Sequence, residues 1–186
     1  MRILAISGSL RAGSHNSRLL RHLAERAPTG AEIEIWDGLK SIPPYDQDDD
    51  GDVAPPPVAA LRRAIATADA LLIATPEYNS SIPGVLKNAI DWASRPRATT
   101  PLQGKPVAVI GATTGSFGAV WAQAETRKAL ASAGARVIGL DLPIAKAHEA
   151  FDDDGSLRSA DHDDRIGEIL DSLAVEVETD LAMATA

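Results

Sequence analysis

A chain of 186 residues with 45% hydrophobic content can fill the core of one compact domain. Its 26 acidic residues outnumber 18 Lys and Arg, and the resulting net charge of −8 argues against nucleic acid or an anionic membrane as partner. The absence of cysteine removes disulfides, thiolate catalysis and Cys-ligated metals.

Taken in chain order, residues 2–6 read as a buried strand. The apolar run within it stops at Ser7 and Gly8, too short for the core of a signal peptide, and no later stretch approaches a membrane span, so the expected location is the cytoplasm. The strand runs into Ser7-Gly8-Ser9-Leu10-Arg11-Ala12-Gly13-Ser14-His15-Asn16-Ser17, feeding a helix expected to begin near Ser17 or Arg18. Glycines that turn backbone N–H groups inward, the hydroxyls of Ser9, Ser14 and Ser17 and a helix N-terminus make an anion cradle, and Arg11 supplies the neutralising charge. A plain capped turn would explain the Gly and Ser; Arg11 tips the balance toward phosphate. The loop lacks the Gly-x-x-x-x-Gly-Lys-Ser/Thr of a triphosphate site and the Gly-x-Gly-x-x-Gly of a dinucleotide fold, although Asp37 could serve as the latter's acidic partner.

Leu19, Leu20, Leu23 and Ala27 give the first helix its apolar face, and residues 31–36 alternate like a second strand. Residues 46–57, acidic and ending in three prolines, are expected to form a surface connection. Asp46, Asp48 and Gly51 imitate half of an EF-hand loop, but Pro57 stands where the bidentate Glu belongs. Val58, Leu61 and Ile65 then mark a second helix and residues 70–74 a third strand. After it come Thr75-Pro76-Glu77-Tyr78-Asn79-Ser80-Ser81-Ile82-Pro83-Gly84, a proline-stiffened loop in which Tyr78 can stack on a planar ligand, and a helix whose Leu86, Ile90 and Trp92 face the core. Arg95, just beyond, is a candidate for steering a phosphate or anionic acceptor, or simply a cation at a helix terminus.

Residues 107–110 form a fourth strand and lead to Gly111-Ala112-Thr113-Thr114-Gly115-Ser116-Phe117-Gly118, a third small-residue loop, before a helix opening at Ala119. Residues 136–140 read as the fifth strand, and Ile166, Ile169, Leu170, Leu173 and Val177 as the face of a terminal helix, with fraying expected beyond Val177. His15, His22, His148 and His162 show no paired metal spacing, so each is assigned a surface or capping role. Five β-α units without a change of composition predict one α/β domain, a doubly wound three-layer sandwich on a five-stranded parallel sheet of order 2-1-3-4-5. In such a sheet ligands bind beyond the carboxyl ends of the strands, where the three unusual loops lie together.

Gly8-Ser9-Leu10-Arg11 with Gly13-Ser14-x-Asn16, and the run from Pro76 to Trp92, resemble the NADPH-dependent FMN reductase family of the flavodoxin-like superfamily, close to its quinone and chromate reductase members. The resemblance implies non-covalent FMN, its phosphate held by Ser9, Arg11, Ser14, Asn16 and Ser17. Pro76, Glu77, Tyr78 and Asn79 would border the flavin ring, with Thr113, Thr114 and Gly115 near the ring or ribityl chain. It implies NADPH or NADH as donor and a quinone, azo compound, chromate or free flavin as acceptor, in a homodimer or dimer of dimers. No catalytic side chain is required, since the flavin carries the chemistry. The rival reading is a non-enzymatic FMN electron carrier or redox sensor, which the arginine in the first loop disfavours because classical flavodoxins use a Thr and Gly motif there.

Overall fold

In a computed structural model that describes residues 1–51 and 53–184, strands β1 (Arg2–Ser7), β2 (Glu32–Trp36), β3 (Ala70–Thr75) and β4 (Pro106–Ala112) alternate with helices α1 (His15–Glu25), α2 (Pro56–Thr67), α3 (Gly84–Ala93) and α4 (Val120–Ser132). The last strand comes in two pieces, β5 (Arg136–Val137) and β6 (Pro143–Ile144), before the terminal helix α5 (Ala160–Ala184). All pairings are parallel and the order is β2-β1-β3-β4-β5, with β6 also on β4. This is the flavodoxin-like arrangement expected from the sequence.

The strands read as continuous apolar runs because both sheet faces are covered. Ile3, Ala5, Leu72, Ala74, Ala108 and Ile110 pack with α1 and α5, whereas Leu4, Ile6, Leu71, Ile73, Val107 and Val109 pack with α2, α3 and α4. Successive residues therefore serve opposite layers, the period-2 rule of a strand. Val177 is the last buried side chain of α5 among the described residues, and the helical backbone continues past it to Ala184.

The single fifth strand expected over residues 136–140 is corrected to a broken one. Ile138 N still donates to Val107 O at 2.9 Å and Gly111 N to Leu142 O at 3.1 Å, but the stretch between leaves the ladder. Arg127, from α4, fills the gap: its guanidinium donates to Ile138 O (3.1 Å), Val109 O (2.9 Å) and Leu140 O (2.6 Å). A cation thus satisfies carbonyls that a continuous strand would have paired.

The acidic connection after β2 is a surface segment, yet a pinned one. Asn88 donates to Pro43 O and accepts from Tyr45 N, Trp92 Nε1 also donates to Pro43 O, and Arg62 joins Asp50 at 2.9 Å while donating to Trp92 O. Asp46 accepts from Asp48 N, so its carboxylate is spent on the local turn. Asp52 lies outside the described residues.

Candidate active site

Register brings the three loops to one edge. Ser7 lies beside Ala74, and Thr75 beside Gly111, so β1, β3 and β4 deliver their loops side by side. Gly8 sits where the first two loops touch. A Cβ there would lie 2.9 Å from Leu86 Cδ2 and 3.2 Å from Pro76 Cδ, which explains a glycine at that position.

The first loop is closed by its own hydroxyls. Ser7 Oγ accepts from Ser9 N (3.3 Å) and Ser17 Oγ (3.0 Å), and Ser14 Oγ accepts from Ser17 N at 3.2 Å. Ser14 is the N-cap, so α1 starts at His15, earlier than the Ser17 or Arg18 expected from sequence. The N–H groups of His15 and Asn16, in the first turn, have no acceptor within the helix, and the helix dipole reinforces them as anion donors. Asn16 is 2% exposed, and its side chain is committed: Nδ2 donates to Ala112 O and Oδ1 accepts from Ala112 N, both at 2.9 Å. Toward a ligand Asn16 therefore offers its backbone N–H, while its amide clamps the first loop to the end of β4.

The second loop is tied to α4 from both ends. Glu77 accepts from the N–H groups of Trp121 (3.0 Å) and Ala122 (3.1 Å), neutralising the start of that helix. In return Glu125 of α4 accepts from Ser81 Oγ and from Ile82 N, and those hydrogen bonds, Ser81 first, hold its carboxyl below the ordinary carboxylate pKa. Between the ties Tyr78 and Ser81 form a small antiparallel bridge over Asn79 and Ser80, both at positive φ, which leaves Tyr78 half exposed. The third loop is held by the chain after β6, with Thr113 N on Ile144 O, Ala147 N on Thr113 O and Lys146 N on Gly115 O. Gly118 closes it at φ +62°, where a Cβ would lie 2.5 Å from Pro143 C.

A cleft of about 290 Å³ opens among these loops. Ser9, Arg11, Ser14 and Asn16 line it from the first loop, Pro76, Glu77 and Tyr78 from the second, Thr113 and Thr114 from the third. Ser17 turns to Ser7 instead, and Asn79 and Gly115 are exposed on their loops outside the cleft lining. Arg95 is elsewhere. It lies past the C-terminus of α3, a helix of ten residues and ~15 Å, and lines a separate groove with Lys87, Asp91 and Lys128.

Sequence reasoning missed two wall residues, Ala112 and His15. Of the histidines expected in a surface or capping role, His22 is instead buried, 4% exposed and 2.7 Å from Asp163 of α5, while His15 is half-buried at the start of α1. The His15 ring lies parallel to Phe151 at 6.4 Å between centroids, and the Arg18 guanidinium sits 4.9 Å from the same ring. Partial burial, then the charges of Arg11, His148 and Arg18, hold the His15 imidazole below its ordinary pKa. The signal for it lay in its position, between the cap and the clamp of an anion loop.

Residues 1–149 match the family of NADPH-dependent FMN reductases. The chain belongs to that family. Among its relatives, the NAD(P)H-dependent FMN reductase of Pseudomonas aeruginosa is 46% identical over 158 residues, covering 84% of each chain. A 2-hydroxy-1,4-benzoquinone reductase from a Burkholderia species is 46% identical over 127 residues, 68% of each. The solved structure of FerB, a flavoenzyme NAD(P)H:(acceptor) oxidoreductase from Paracoccus denitrificans, superposes with a TM-score of 0.83 at 35% identity, covering 96% of this chain and 97% of that one. Family membership makes the chain an oxidoreductase with FMN as cofactor and NAD(P)H as donor.

Proposed function

We propose that this chain passes electrons from NADH or NADPH to a quinone or a comparable small acceptor, through FMN held without a covalent bond in the cleft between the three loops. The observation that carries this reading is the meeting, in a member of the FMN reductase family, of an arginine-bearing cradle of free N–H groups with an open, proline-stiffened rim that bears Tyr78. When bound, FMN supplies the redox chemistry, taking hydride at N5 and releasing electrons to the acceptor.

The chain's own residues bind, orient and polarise. Arg11, the hydroxyls of Ser9 and Ser14 and the N–H groups of His15 and Asn16 hold the phosphate, with Ser17 supporting Ser7 from behind. Pro76, Glu77, Tyr78 and Asn79 border the ring, while Thr113, Thr114 and Gly115 approach the ring or ribityl chain. N–H donors of these last two loops would face the flavin ring when it is bound and favour negative charge there. No side chain is asked to give or take a proton in the transfer. Nicotinamide and acceptor use the same open face in turn, which gives ping-pong turnover. The working form is a cytoplasmic homodimer or dimer of dimers. Supporting this, no helix among the described residues is long and apolar enough to cross a membrane, and Phe117 and Trp121 pack edge to face, exposed, beside the second loop.

Anaerobic stopped flow tests the reading. NADH or NADPH should bleach the oxidised flavin band in one two-electron step, a benzoquinone should restore it, and steady-state double-reciprocal plots should be parallel. Tyr78→Ala should slow the bleaching without lowering Tm. Flavin that neither nucleotide reduces within minutes, but that a protein reductase does, would identify an electron carrier instead.

A further inference from the structure

We propose that His15 binds the FMN phosphate as an imidazolium and takes its proton from solvent as the cofactor binds, so that affinity for FMN falls as pH rises. This rests on the proposed FMN site and deepens it. His15 is the first residue of α1, directly after the cap Ser14, and it lines the same cleft as Arg11. The neighbouring clamp between Asn16 and Ala112 fixes the backbone that bears it. The ring is held against Phe151, which is 5% exposed and is itself bridged to Leu157.

The titratable groups that act on His15 are basic: Arg11 from the loop, Arg18 from its own helix and His148 from the segment after β6. Nearby acidic groups are engaged elsewhere, Glu149 with His148 (3.1 Å), Asp152 with Arg158 (3.0 Å) and Asp154 with Ser156. Burial, then these basic groups, hold the imidazole below its ordinary pKa and so favour the neutral ring in the free protein. A phosphate dianion reverses the balance. It offsets the cations and offers a charge-assisted hydrogen bond, and both favour the protonated ring. Since the pKa of His15 is then higher in the complex than in the free protein, its contribution to affinity is complete below the free pKa and is lost as pH rises through the bound one.

The test counts protons. FMN is titrated calorimetrically into the wild-type protein at pH 7.5 in two buffers of different ionisation enthalpy, where the phosphate, with a second pKa of about 6, is already a dianion. Dissociation constants for FMN and riboflavin are then measured by fluorescence between pH 6.5 and 9. Wild type should take up a fraction of a proton per FMN, and its affinity should fall by up to about tenfold per pH unit while riboflavin affinity stays flat. His15→Phe, which keeps a ring on Phe151, and His15→Gln should both abolish the uptake and flatten the FMN profile, with circular dichroism unchanged. FMN binding without proton uptake, with the same pH profile in both variants, would overturn the role of His15 and leave the cofactor reading intact. Wild-type protein that binds neither flavin would overturn the cofactor reading, and this inference with it.

Discussion

In the proposed phosphate site Arg11 would contribute charge where the first turn of α1 contributes direction, and the two are separable by substitution. Arg11→Ala removes charged hydrogen bonds worth about 1.5 to 3 kcal/mol in total, so FMN affinity should drop roughly tenfold to over a hundredfold in a fluorescence titration, with riboflavin affinity unaffected. Equal loss for both flavins would place Arg11 away from the phosphate. At this scale the sequence is informative about which residues meet and poor at saying how each is used. Ser9, Arg11 and Tyr78 come to one cleft as their motifs suggested. Asn16 and Glu77 come to it as well, yet their side chains are largely spent on protein backbone, Ala112 in one case and the start of α4 in the other. Nothing local in the sequence distinguishes an amide that binds a ligand from one that binds a strand 96 positions away.

Elements held by a single side chain are the ones local sequence patterns miss. The first four strands and all five helices were legible because apolar runs flanked by turn residues and faces spaced at helical intervals mark them. The gap in the fifth strand was not, since its cause, Arg127, sits on the preceding helix and acts through space. Burial lowers the pKa of this guanidinium, with Asp141 opposing. Arg127→Leu would leave the carbonyls of Val109, Ile138 and Leu140 unpaired, for which a loss of about 2 to 4 kcal/mol in urea unfolding is expected. A loss under about 0.5 kcal/mol would mean that water replaces the guanidinium at no cost. The start of α1 differs from the sequence expectation for a milder reason: Ser14 and Ser17 are both acceptable caps, and only the Ser14 Oγ to Ser17 N bond decides between them.

For the whole molecule, charge and symmetry set the predictions. The protein carries −8 overall, yet Arg11 lines the cleft with Arg18 near its His15 wall, a local positive field suited to drawing in phosphate-bearing ligands. Closed symmetric assemblies are the common outcome for such enzymes, and sedimentation velocity at micromolar concentration should give a dimer or tetramer. A purely monomeric boundary would count against the exposed Phe117 and Trp121 as a subunit contact. The clamp between Asn16 and Ala112 also fixes an order of assembly. The anion loop precedes β4 in the chain, but the Asn16 side chain at its helix start finds its partner only at the end of β4. Until β4 has joined the sheet, the Gly- and Ser-rich segment is a loop without its anchor. The proposed phosphate site is thus completed only after β4 is in place, and a chain stalled before residue 112 would contain the whole motif without the clamp that fixes Asn16.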